Sequence, residues 1–291
     1  MKRLLSILFI FGLVLSGCSS DTSSSDGATM SYETSKGIIE YPENPTIYAD
    51  YYVGQLLYLG ADVIGADMTW PAEPWTSVAE DKGVQNISGD MEAIAALAPE
   101  LIVTMNEEFY DQYSAIAPTI LIPYGTFDQE QIVIELGIAL GKEDEANKWV
   151  EDFNQSIETL KTEIDSPEQT IGIIDSWGDA MYMYGANFGR GGYILYNKLG
   201  LKGTEQAEAE YVREANSYLT VDGESLTNYA GDILFICAPD EGVEAIKSLP
   251  TYDDLGAEVI VVDYDTFLYD DPYSLNAQVE ALTEIYGSEE L

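Results

Sequence analysis

The chain has 291 residues and sets 52 Asp and Glu against 12 Lys and Arg, with no His. A formal net charge of −40 repels a phosphate backbone and excludes nucleic acid as a natural partner. The missing His removes His-ligated zinc, His-ligated haem and every Ser-His-Asp or Cys-His catalytic set. Most of the carboxylates read as a solvated acidic surface suited to a salty or alkaline medium.

Lys2 and Arg3 precede an apolar stretch from Leu4 to Leu15, too short to cross a bilayer comfortably and suited to a cleaved signal. The Leu15-Ser16-Gly17-Cys18 that follows resembles the lipobox of bacterial lipoproteins. That resemblance implies removal of residues 1–17 and a diacylglyceryl group on Cys18. It also implies an extracytoplasmic position on the outer face of the cell membrane; the Ser-rich tether that follows favours a Gram-positive-type surface over an inner or outer membrane leaflet. Residues 18–42 are Ser-rich and polar with little to bury, which predicts a disordered tether. A lipidated Cys18 leaves Cys237 without a disulfide partner, so Cys237 is expected to pack as a small core hydrophobe.

From residue 43 the pattern is α/β. Thr46–Ala49, Asp62–Gly65, Leu101–Thr104 and Ile120–Ile122 are apolar runs of strand length, separated by helical stretches. In Asp50 to Leu59, Asp50 is placed to cap a helix and Gly60 to end it. Such alternation favours parallel sheets with helices on both faces. Residues 43–141 are therefore read as an N-terminal lobe.

Between 142 and 165, apolar residues at Ala146, Trp149, Val150, Phe153, Ile157, Leu160 and Ile164 hold helical spacing until Asp165-Ser166-Pro167 stops it. One helix over this segment runs roughly 33 Å. Strands resume at Thr170–Asp175, Met181–Tyr184, Ile233–Cys237 and Glu258–Asp263, so residues 166–291 form the second lobe. The expected fold is two Rossmann-like α/β lobes joined by a single long α-helix. Residues Glu92–Val103 and Glu224–Phe235 align without gaps. Each runs from an acid through helical spacing to a Pro or Gly, a second acid and a buried strand. One copy in each half supports a related pair of lobes.

Motifs of catalysis are scarce. There is no phosphate-cradling Walker loop and no Gly-x-Ser-x-Gly elbow, and Gly189-Arg190-Gly191-Gly192 lacks dinucleotide spacing. Carboxylates are so abundant that a carboxylate-dependent hydrolase stays open as an alternative on composition alone. The distinctive stretch is Met181 to Gly192, which gathers Tyr182, Tyr184, Phe188 and Arg190 within a strand and a turn. Arg190 and Arg213 are the two Arg residues beyond the leader. A rigid, permanently charged fork among aromatic faces suits an oxygen ligand. A helix-start turn with core aromatics and a surface Arg is the structural reading beside it.

Residues 184–202, YGANFGRGGYILYNKLGLK, resemble the signature of ferric-siderophore-binding lipoproteins of bacterial iron-uptake ABC transporters, especially those for hydroxamates. Residues 263–278 resemble the family's closing strand, aromatic pocket segment and Asp-Pro helix start, and Ala49 to Gly54 agree near the front. The resemblance spans about residues 43 to 288. It implies a helical-backbone periplasmic-binding-protein-like fold with a shallow cleft between the lobes, no catalysis, no intrinsic cofactor and no metal ligand from the protein. Arg190 would bond the chelating oxygens. Tyr184, Phe188, Phe267 and Tyr269 would wall the complex, faced by Tyr124 from the other lobe. Positions 188 and 267 are often Trp in relatives. Trp70 and Trp75 are assigned to loop or core packing.

Charge favours a neutral or cationic ferric hydroxamate over an anionic tris-catecholate, which needs a basic cluster. A haem or cobalamin carrier of the same shape is the alternative. In the family, one surface Glu on each lobe meets Arg residues of the permease, which assigns that role to Glu92 and Glu224. A monomer is expected.

Overall fold

The computed structural model describes residues 28–288 apart from residues 72, 165, 179, 215 and 216. The leader and Cys18 lie outside the described residues. The first described elements correct an expectation. Residues 29–42, assigned above to a disordered tether, form the hairpin β1 (Thr29–Thr34) and β2 (Gly37–Pro42), antiparallel with Thr34 opposite Gly37. Within the polar segment, Met30, Tyr32 and Thr34 alternate with exposed residues, the two-residue period of a half-buried strand. Tyr41 Oη donates to the Ala139 carbonyl at 2.6 Å, and Tyr32 Oη to Glu135 Oε2 at 2.9 Å. Average composition hides such a pattern.

The N-terminal lobe follows in chain order. It comprises β3 (Thr46–Ala49), α1 (Val53–Tyr58), β4 (Asp62–Ala66), α2 (Glu73–Asp81), β5 (Gln85–Asn86), α3 (Met91–Leu97), β6 (Leu101–Thr104), α4 (Tyr110–Ser114), β7 (Thr119–Leu121) and α5 (Gln129–Leu140). Its sheet runs β5-β4-β3-β6-β7 with every pair parallel. The strands are short, and β3, β6 and β7 are buried on both faces, as helices on either side require. Asp128 caps α5 in a capping box with Gln131, and Gly141 ends it at φ 66°. Asp50 does not cap α1. Tyr52 stands at that helix start, and the Asp50 carboxylate accepts instead from Thr104 Oγ1 and from Tyr113 Oη, locking β3 to β6 and α4.

Helix α6 (Glu143–Lys161) is the expected bridge, with Ala146, Trp149, Phe153, Ile157 and Leu160 on its buried face. Acids in its first turn and Lys161 in its last suit the helix dipole. The second lobe holds β8 (Ile171–Trp177), β9 (Ala180–Tyr184), α7 (Glu205–Glu210), β10 (Tyr218–Val221), β11 (Ile233–Ile236), α8 (Asp240–Lys247), β12 (Glu258–Val261), α9 (Tyr264–Phe267) and α10 (Pro272–Tyr286). A π-helical turn spans Tyr193–Lys198. The sheet order is β10-β9-β8-β11-β12, with β9 antiparallel to both neighbours and the rest parallel. Cys237, just beyond β11, is fully buried.

Helix α10 does not stay with its own lobe. Asp271 caps it, Pro272 opens it, and it packs against α1, α2 and α6. The fit at its start is close: a Cβ on Gly54 would lie 2.5 Å from Asp271 Cγ, so α1 needs glycine there. Trp149 joins α6 to α10. It is buried, stacks on Phe153 at 5.2 Å, and donates from Nε1 to Asn276 Oδ1 at 3.2 Å. Trp149→Ala is expected to cost about 3–5 kcal/mol in urea unfolding, the range for removing a buried Trp. Exposed Lys148→Ala should stay within about 0.5 kcal/mol of wild type.

Candidate functional site

Both sheets point the carboxyl ends of their parallel strands at one cleft of about 870 Å³, where open α/β sheets place ligands. From the N-terminal lobe come Tyr51 and Tyr52 after β3, Asp67 and Trp70 after β4, Trp75 on α2 and Tyr124 after β7. From the second lobe come Trp177 at the end of β8, Tyr182 and Tyr184 on β9, Phe188 to Arg190, Tyr264 on α9, and Tyr269 and Asp270 before α10.

The turn at 189–191 carries the cation. Gly189, Arg190 and Gly191 all take positive φ, at 68°, 57° and 81°. A non-glycine residue rarely sits in this region, so the backbone around Arg190 is held by its neighbours. A Cβ on Gly189 would collide with the Leu268 carbonyl, and one on Gly192 with that of Gly185. Glycine is required there because the turn lies directly against backbone. The guanidinium stacks 4.5 Å from the Tyr184 ring centroid. Its Nε and Nη2 donate to Asp175 Oδ2 at 3.1 and 3.0 Å. Trp177 Nε1 donates to the same oxygen at 2.8 Å.

Rings line the rest. Phe188 sits 5.7 Å from Tyr124, 5.9 Å from Tyr184 and 5.3 Å from Tyr218, centroid to centroid. Trp70 meets Trp177 edge-on at 5.2 Å across the cleft. Burial pushes the Tyr184 and Tyr269 phenols up to about 12, so both enter the cleft as neutral hydroxyls. Among the described residues no three Asp, Glu or Cys converge to hold a metal.

Several bonds span the lobes. Tyr269 Oη donates to the Trp70 carbonyl at 2.8 Å, Tyr124 Oη to the Asn187 carbonyl, and Gln129 Nε2 to Asp270 Oδ2 at 3.3 Å. Lys198 pairs with Glu130. Asp270 also accepts from Gly189 N–H at 3.2 Å. Burial raises its carboxyl to about 7, and the Gly189 bond opposes part of that rise.

Of the residues named from sequence, Arg190, Tyr184, Phe188, Tyr269 and Tyr124 meet in the cleft. Phe267 does not. It is 1% exposed beneath the Gly191 turn, where a Cβ would stand 2.8 Å from its Cδ1. Asp263 caps α9, and that helical turn presents Tyr264 to the cleft in its place. Trp70 and Trp75, assigned above to packing, both border the cleft; Trp70 is 57% exposed and Trp75 is buried. Trp177, Tyr51 and Tyr264 were missed. Trp177 ends β8 and Tyr51 follows β3, at the carboxyl ends of strands where parallel sheets place ligand contacts.

Glu92 is exposed in the first turn of α3, whose cap Asp90 accepts from its N–H at 3.0 Å. Glu224 is also exposed, but it precedes a single 3-10 turn, Leu226–Asn228, so the expected helix of the second repeat is absent. The Asp222 carboxylate binds Ser225 N–H at 2.8 Å and closes a turn there.

A model of the periplasmic binding protein family matches residues 48–258. The chain belongs to the periplasmic binding protein family. The iron(3+)-hydroxamate-binding protein YxeB of Bacillus subtilis (strain 168) is 32% identical over 305 aligned residues, covering 97% of this chain and 94% of that protein. The structure of the FhuD protein from S. pseudintermedius superposes on this binding protein with a TM-score of 0.79 at 25% identity, covering 91% and 100% of the two chains. FhuD2 from Staphylococcus aureus with bound ferrioxamine B gives 0.69 at 28% identity, covering 84% and 98%.

Folded, Asp270 keeps its proton to about pH 7; unfolded, it releases it at ordinary carboxyl pH, near 4. The folded state thus binds the extra proton in between, and its contribution to stability falls as pH rises through that window. Asp270→Asn, which stays neutral, is expected to gain in thermal midpoint over wild type between pH 5 and pH 8. An unchanged difference would mean that Asp270 is not so perturbed.

Proposed function

We propose that this binding protein captures a ferric hydroxamate-type siderophore in the inter-lobe cleft and delivers it to the permease of an ABC importer. The observation that carries the reading is Arg190, stacked on Tyr184 inside a ring of Phe188, Tyr124, Trp70, Trp177 and Tyr269, with Arg213 the one other basic residue of the lining among the described residues. The other Arg of the cleft, Arg213, is bonded to Glu208, Asn197 and the carbonyls of Tyr196 and Leu201.

The iron is cargo, carried inside its chelate. A guanidinium has five N–H donors, and two go to Asp175, so three are left for hydroxamate oxygens. The aromatic walls suit the hydrocarbon arms of a chelator, which offers faces and edges but little charge. The neutral Tyr184 phenol donates a hydrogen bond to it without displacing its ligands, whereas the Tyr124 and Tyr269 phenols already donate across the cleft. YxeB and FhuD2, whose names and bound ligand concern hydroxamate chelates, support the class.

The protein acts as a lipid-anchored monomer, tethered by acylated Cys18 to the outer face of the cell membrane, and catalyses nothing. Glu92 and Glu224, exposed one on each lobe, dock to basic residues of the permease. Replacing both by Arg should leave siderophore affinity within about twofold while transport of labelled ferric siderophore falls to background. Normal transport would remove the docking role.

Titration with ferrioxamine B, followed by Trp and Tyr fluorescence, is expected to quench saturably, because Trp70 and Trp177 stand beside the site. Arg190→Ala should weaken binding about 10–100-fold, the loss of one or two charge-assisted hydrogen bonds. No quenching by any ferric hydroxamate would discard the reading.

A further inference from the structure

We infer that Asp175 sets the charge selectivity of the cleft, by cancelling Arg190 so that the site offers hydrogen-bond donors without net positive charge. The inference rests on the cleft being the siderophore site.

Asp175 is a buried carboxylate, 0% exposed, in the strand beneath the ligand cleft. Three donors converge on its Oδ2: Arg190 Nε and Nη2 and Trp177 Nε1. Its Oδ1 has no hydrogen-bond partner among the described residues. Burying an ion pair is a poor route to stability, since desolvation offsets most of the attraction and apolar packing does as well. An orphaned carboxylate oxygen adds to that cost. The arrangement is better explained by what it does to the ligand.

A lone buried guanidinium would attract any anion strongly, because solvent and salt screen it little there. Pairing it at 3.0 Å with a fully buried carboxylate removes that attraction at ligand distances. The positive φ of Arg190 and the stack on Tyr184 fix the guanidinium in this pose. Among the described residues, the other acidic and basic side chains lining the cleft are Asp67, Asp128, Asp271 and Asp270, the last protonated up to about pH 7, and Arg213, which pairs with Glu208 at 3.2 Å. A ligand oxygen can still take an N–H bond from Arg190, but a negative ligand gains no compensating charge. The cleft therefore accepts neutral and cationic ferric chelates and rejects anionic ones, and Asp175 is the residue that decides it.

The test uses one chelate with three charges: ferrioxamine B, cationic through its pendant ammonium, its N-acetyl derivative, neutral, and its N-succinyl derivative, anionic. Each is titrated against the folded chain by fluorescence quenching. The readout is the ratio of the anionic Kd to the cationic Kd. Asp175→Asn, isosteric and uncharged, should lower that ratio about tenfold, as expected for one uncompensated charge several ångströms away. Arg190→Gln leaves a bare carboxylate and should raise it, and it decides the matter if the first variant does not fold. The double variant should return to the wild-type ratio. Equal weakening of all three chelates, with the ratio unchanged in both single variants, would overturn the inference and leave Asp175 a positioning residue only. Failure of the wild-type chain to bind any of the three would overturn the siderophore reading itself, before a variant is made.

Discussion

The turn at residues 189–191 is the constraint on which the site depends. Three successive left-handed residues swing the Arg190 side chain back over β9 and onto the end of β8, where Tyr184 and Asp175 receive it. The glycines on either side permit this, because the backbone presses against Leu268 on one flank and Gly185 on the other. A side chain at either contact would lift the turn and carry the guanidinium with it. The aromatic rings then complete a cleft around a cation that is already fixed in place. The binding surface is thus largely assembled before any ligand arrives, which lowers the ordering cost of association.

The relation between the lobes follows from two helices. The bridge α6 buries one continuous apolar face, and α10 leaves the second lobe to pack on α1, α2 and α6. Two connections of this kind resist the wide opening that flexible strand hinges allow. What remains adjustable is the set of contacts between the lobes at the cleft: Tyr269 to Trp70, Tyr124 to Asn187, Gln129 to Asp270, Lys198 to Glu130, and the edge-on Trp70–Trp177 pair. These are few, polar or at ring edges, and partly exposed, so they suit small rotations. Asp270 lies among them, holding Gly189 and Gln129 with one carboxylate oxygen while burial keeps its proton on to about pH 7.

Much of the fold was legible because its signals are local. Thr46–Ala49 and Leu101–Thr104 are buried strands bounded as their apolar runs suggest, and the bridge shows its face in the spacing from Ala146 to Leu160. The hairpin at 29–42 escaped because its alternation is short and lies in a Ser-rich stretch. Asp50 looks like a helix cap until Thr104 and Tyr113, distant in sequence, claim its oxygens. In the site, five of the six residues that the family resemblance carried over line the cleft, because that resemblance rests on local stretches, residues 184–202 and 263–278, that the fold brings to its edge. Phe267 failed because aromatic content does not say which side of a helical turn faces the cleft. Asp175 was read only as the end of a strand. One carboxylate among 52 carries no mark, and only folding brings Arg190 onto it.

The central claim is that Arg190 presents its unspent donors to a ferric chelate within an aromatic cleft. A crystal structure of the chain with ferrioxamine B tests it most directly. The account predicts a chelate oxygen about 3 Å from an Arg190 nitrogen, with Tyr184, Phe188 and Trp70 against the hydrocarbon arms and Asp175 still paired. A chelate seated elsewhere, or one in the cleft with no contact to Arg190, would contradict it.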